Sequence, residues 1–82
     1  MLNELRNGVK VVGMKQLKRA IRNNLVKAVF LADDADPMVT DPIRALCGAE
    51  LPVVNVPTMR ELGQACGISV GASSAGLLKQ AE

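Results

Sequence analysis

Two stretches, VKAVFLA at 26–32 and PVVNV at 52–56, restrict what this chain can fold into more than any other feature. Each is short and almost continuously apolar, without the strict alternation of a strand that shows one side to water. Such runs suit strands covered on both faces. Around them lie helix-length segments with start and stop signals, so helices supply the cover. The 82 residues make one domain, and a chain of this size hides only a little over about 60% of its unfolded surface. Phe30 is the only aromatic residue, so the core must come from Val, Leu, Ile, Ala and Met.

VKVV at 9–12 and ISV at 68–70 are two further strand-like runs. The first main helix starts after Gly13 and runs to Asn23–Asn24, with residues 2–7 adding an opening turn. The second follows ADDADP, where Asp36 suits a cap. A second Asp-Pro at 41–42 restarts or tightens it, with Pro42 at a first helical position. Thr58-Met59-Arg60-Glu61 fits a capping box for the third helix, and Gly67 is its stop. A last helix is expected over 73–81, after the Ser73-Ser74 pair. Strand and helix alternate four times, which points to the α/β class: a three-layer α/β/α sandwich on a four-stranded mixed sheet.

No apolar run reaches membrane-spanning length, and the N-terminus lacks the apolar segment of a signal peptide. A soluble, cytoplasmic protein with no membrane partner is the expectation. Cys47 and Cys66 are not spaced as a metal pair and no His completes a zinc site, so two free buried thiols and no metal or cofactor are expected. Without His, the usual base and nucleophile pairs are missing, which argues against an enzyme. The alternative rests on Asp33, Asp34 and Asp36, which follow the strand VKAVFLA where α/β active sites collect. Three carboxylates suit Mg²⁺ in a small phosphate-binding regulatory or enzymatic domain. Capping by Asp36 and turn formation by its neighbours explain the same residues without a ligand.

Charge is unevenly spread. Residues 1–27 hold seven Lys or Arg against Glu4, a net +6, whereas residues 28–82 hold three against seven acids, a net −4. On the first main helix, Met14, Leu17, Ile21 and Leu25 recur at spacings of three and four and form the face that packs on a sheet. Lys15, Lys18, Arg19 and Arg22 form the opposite face, with no Glu to relieve their repulsion. These charges begin at a helix N-terminus, where the macrodipole and free N–H groups favour an anion, and Gly13 permits close backbone approach. A phosphate-bearing ligand follows. Residues 63–76, GQACGISVGASSAG, match neither Walker nor Rossmann spacing. Ile68 and Val70, flanking Ser69, are either strand residues facing the core or, if the loop is exposed, an apolar ledge.

The order of these motifs resembles a small bacterial member of the L7Ae family of ribosomal proteins, which bind kink-turn RNA. GMKQLKRAI resembles the family's G-x-N-E-x-x-K helix start, and LADDADP its apolar strand with acidic pair and Asp-Pro. VPTMRELGQACGISVGASSAGLL resembles the long V-P-S-x-x-E-L-G-x-A-x-G-I-x-V-A-A-A signature, so the likeness spans roughly residues 9 to 78. It implies an α/β/α sandwich whose first main helix enters the widened groove of a sharply bent RNA at tandem G·A pairs beside a bulge. On that likeness Gly13 allows backbone approach, Lys15 and Gln16 meet guanine edges, and Arg19 contacts RNA. Lys18 and Arg22 reach flanking phosphates, while Ile68, Ser69 and Val70 pack on an extruded nucleotide. The implied partner is structured RNA, ribosomal or riboswitch-like, bound by a monomer. Lys15-Gln16 replaces the Asn-Glu of many relatives, Met59 stands where many have Lys, and Ser69 replaces a common Glu.

Overall fold

A computed structural model describes residues 2–79 of the chain. The elements are α1 (Leu2–Asn7), β1 (Lys10–Val12), α2 (Met14–Arg22), β2 (Val26–Ala32), α3 (Pro37–Cys47), β3 (Val53–Val56), α4 (Met59–Ala65) and β4 (Ser74–Leu78). The four strands form one mixed sheet in the order β1-β4-β2-β3. β2 and β3 are parallel, and β4 runs antiparallel to both β1 and β2.

Strand β2 is the spine of the fold. Every residue but Lys27 is buried, and its side chains divide between two cores. Val26, Val29 and Leu31 pack with Leu17 and Ala20 of α2 and with Ile43 and Cys47 of α3. Ala28, Phe30 and Ala32 pack with Leu5 of α1 and Leu62 and Ala65 of α4. Helices thus cover both faces, and the three-layer α/β/α arrangement expected from the apolar runs is the arrangement found.

The last third differs from the sequence reading. ISV at 68–70 is an exposed loop, and the segment expected to be a helix from 73 forms strand β4 over Ser74–Leu78. Residues 80 and 81, the end of that expected helix, lie outside the described part. Packing explains the exchange. β4 sits between β1 and β2, and the packing over its first half admits only small side chains: Ala75 is fully buried, and a Cβ on Gly76 would stand 2.5 Å from Leu17 Cδ1. Val70, by contrast, is 68% exposed because β4 already fills the interior of the sheet. Two smaller corrections concern helices. Leu25 lies past the end of α2 and is half-exposed, and Ala20 is buried on the sheet side instead. Helix α3 is continuous, with Pro37 in its first turn, Asp36 as cap and Pro42 in the interior rather than at a new start.

Both cysteines are free and buried. No helix among the described residues is long and apolar enough to cross a membrane.

Candidate nucleic-acid interface

Strand directions gather four segments at one end of the sheet. β1, β2 and β3 all point the same way and β4 runs back, so the carboxyl ends of three strands meet the start of the fourth. Backbone hydrogen bonds close this end. Gly13 N–H donates to Ser74 O (3.0 Å), Ala32 N–H to Ser73 O (3.0 Å) and Asp33 N–H to Val56 O (2.8 Å). The start of α2, the β2–α3 turn, the start of α4 and the loop leading into β4 therefore open in the same direction.

Helix α2 enters this end from one layer. Gly13, its N-cap residue, has φ 97° and ψ 155°, a conformation closed to other residues, and the space where a Cβ would stand is empty. No side chain caps the helix. The residue types pointed to an unfilled helix start, and the first-turn N–H groups indeed lack a side-chain acceptor. Lys15, Gln16, Arg19 and Arg22 are exposed and Lys18 is half-buried. α2 carries no acid at all. The helix is only nine residues long, so Arg19 and Arg22 fall in its last turn, where the dipole favours cations. The unfavourable placement argued from sequence thus applies to the Lys15 end alone. Arg22 stands about 12 Å along the axis from the helix start, away from the other segments.

The second part enters from the opposite layer. Ile68, Ser69 and Val70 follow α4 as an exposed loop, which makes the apolar ledge, not the core strand, the correct alternative. Their support is backbone. Ile68 N–H donates to Gly63 O (3.1 Å) and Ala72 N–H to Met59 O (3.0 Å). A Cβ on Gly63 would stand well inside contact distance of the Val70 carbonyl oxygen, so the loop lies directly on α4. Met59 extends the ledge, since its Cβ is 3.1 Å from where a Cβ on Gly71 would lie. Sequence reasoning saw in Met59 only a missing Lys. Nothing in the spacing links it to Gly71.

The carboxylates do not converge. Asp36 Oδ1 accepts from Met38 N–H (2.9 Å) and caps α3, as the residue type suggested. Asp34 Oδ1 accepts from Met59 N–H (2.7 Å), 25 residues away, a tie no local pattern reveals. Among the described residues no group of three His, Cys, Asp or Glu is placed to hold a metal. A cavity of about 380 Å³ between the ends of α2 and α3, floored by Cys47 and Leu51, belongs to the opposite end of the sheet.

A sequence profile of the ribosomal protein L7Ae/L30e/S12e/Gadd45 family matches residues 3–82. The chain belongs to this family. It is 40% identical over 76 residues to an RNA-binding protein of Geobacillus sp. (strain WCH70), covering 92% of this chain and 93% of that one. An RNA-binding protein of Caldanaerobacter subterraneus subsp. tengcongensis is 42% identical over 67 residues, 80% of this chain and 82% of its own. Among solved structures, a 15.5 kD RNA-binding protein of Giardia lamblia superposes with a TM-score of 0.89 at 25% identity, over 96% of this chain and 71% of that one. Within the L7Ae fold, the basic α2 start and the 68–70 loop are contributed by opposite layers. Strand direction brings the starts of α2 and α4 to one end of the sheet, and the bonds from Ile68 N–H to Gly63 O and from Ala72 N–H to Met59 O lay residues 68–70 back along α4 toward that end.

Proposed function

We propose that this L7Ae-family chain is a non-catalytic RNA-binding protein that recognises and stabilises kink-turn RNA, ribosomal or riboswitch-like, as a cytoplasmic monomer. The observation that carries the reading is the meeting, at one end of the sheet, of an uncapped basic helix start and an exposed aliphatic loop. RNA binding is supported by the names of the curated relatives.

In this reading Gly13 lets an RNA strand approach the α2 backbone, and Lys15 and Gln16 address base edges. Lys donates to guanine acceptors and Gln both donates and accepts, so the pair suits a G·A step. Arg19 makes the next contact along the helix, and Lys18 and Arg22 neutralise flanking phosphates. Ile68, Ser69 and Val70 receive the extruded nucleotide. Regular A-form RNA has a major groove too deep and narrow for a helix, so a bent or bulged duplex is the target such a surface fits. With Phe30 buried and no other aromatic present, the chain has no stacking platform for single strands.

A FRET bending assay on a duplex with a three-nucleotide bulge and tandem G·A pairs tests the proposal. Bending at micromolar protein in modest salt is expected. Replacing the G·A pairs with Watson–Crick pairs should leave only weak, salt-sensitive association. A duplex that stays unbent refutes the reading.

A further inference from the structure

We propose that Asp34 is a positioning residue for the apolar loop 68–70, acting through the first residue of α4. The inference rests on the RNA reading above and adds to it the device that holds half of the surface in place.

Helix α4 has seven residues, too few to be stable by itself. Two of its first-turn N–H groups are held by side chains. Thr58 Oγ1 accepts from Glu61 N–H at 3.1 Å, and Asp34 Oδ1 accepts from Met59 N–H at 2.7 Å. The second is short and charge-assisted, and it places a carboxylate where the helix dipole favours one. It also joins segments 25 residues apart in sequence, the β2–α3 turn and the start of α4. Met59 then passes the constraint on, because its carbonyl accepts from Ala72 N–H at the far end of the loop. Ile68 is held at the near end by Gly63 O. Residues 68–72 are therefore pinned at both ends to α4, and α4 is pinned by Asp34 to the rigid end of β2. An aliphatic ledge that is ordered before RNA arrives loses less freedom on binding.

Two variants remove this tie from opposite sides. Asp34→Ala deletes the acceptor, and Asp34→Asn keeps an acceptor oxygen and serves as the rescue. Met59→Pro deletes the donor at the first helical position, where proline is tolerated, and Thr58 at φ −136° and ψ 154° already has the backbone that a following proline requires. Amide hydrogen exchange on the free protein is expected to show Ala72 exchanging at least about tenfold faster in Asp34→Ala and Met59→Pro. Leu17 in α2 should be unchanged, and Asp34→Asn should lie between. An unchanged Ala72 rate in both variants overturns the tie, whatever RNA does. In binding, Asp34→Ala should weaken association with bulged G·A RNA about tenfold, and much less with the same RNA carrying an abasic bulge. Equal losses on both RNAs overturn the link to the loop. Failure of the wild type to bind either RNA refutes the RNA reading and the recognition half of the proposal, while the exchange rates still decide the tie.

Discussion

Gly63 lies inside α4, where alanine would by itself favour the helix by about 1 kcal/mol. The structure sets a larger cost against that gain. A Cβ at this position would run into the Val70 carbonyl oxygen and come within 3.1 Å of Gly71 Cα. Both are backbone atoms, so no rotamer change relieves the clash and the loop must withdraw. Withdrawal strains or breaks the bonds from Ile68 N–H to Gly63 O and from Ala72 N–H to Met59 O. Two such bonds are worth about 1–3 kcal/mol together, close to the cost of overpacking a tight contact. Taking the upper part of that range and subtracting the propensity gain, Gly63→Ala should destabilise the fold by about 1–2 kcal/mol. For a small protein with an m-value near 1 kcal/mol/M, the urea midpoint then falls by about 1–2 M. Far-UV circular dichroism is the suitable probe, because Phe30 is the only aromatic side chain. RNA binding should fall as well, since the loop has moved. A midpoint that rises instead would mean propensity alone acts here, and that residues 68–71 do not lie against α4.

Other perturbations test the remaining parts of the site. Gly13→Ala forces an L-residue into φ 97°, ψ 155°, at a cost of about 1–3 kcal/mol in urea denaturation; the open space around it means the cost is conformational, so removing neighbouring side chains should not relieve it. Arg19→Ala, on the exposed face of α2, should weaken kinked-RNA binding by about 1–3 kcal/mol in titrations at fixed salt and leave the urea midpoint nearly unchanged. Burial pushes the Cys47 and Cys66 thiols up from their ordinary value, against smaller opposing pulls from Arg44 and Lys10 respectively. The neutral thiols' contribution is therefore complete below the unfolded-state thiol value and is lost as pH rises through the raised folded values. Stability followed into the alkaline range should decline less steeply in a Cys47→Ala, Cys66→Ala protein than in the wild type.

Local signals reported local structure well. Asp36 caps α3 and Thr58 caps α4 because each needs only an N–H two or three residues away, and the start of α2 is marked instead by the backbone freedom of Gly13 at φ 97°. The double burial of VKAVFLA was equally legible, since a run with almost no polar residue has no side to give to water. The basic face of α2 could be named from residue types, but whether 68–70 is a core strand or an exposed ledge, and its placement at the same end of the sheet, could not.

That placement follows from strand order, which residue patterns do not encode. ISV has strong β formers and is a loop; SAGLL has small residues and is the strand between β1 and β2. Close approach of α2 over Gly76 rewarded small size there, an effect of packing between distant parts of the chain that outweighs intrinsic preference. The bond from Asp34 to Met59 arises in the same way. It joins residues 25 apart whose meeting depends on β2 and β3 lying parallel, so only the folded molecule could turn an acidic residue in a turn into a support for the loop.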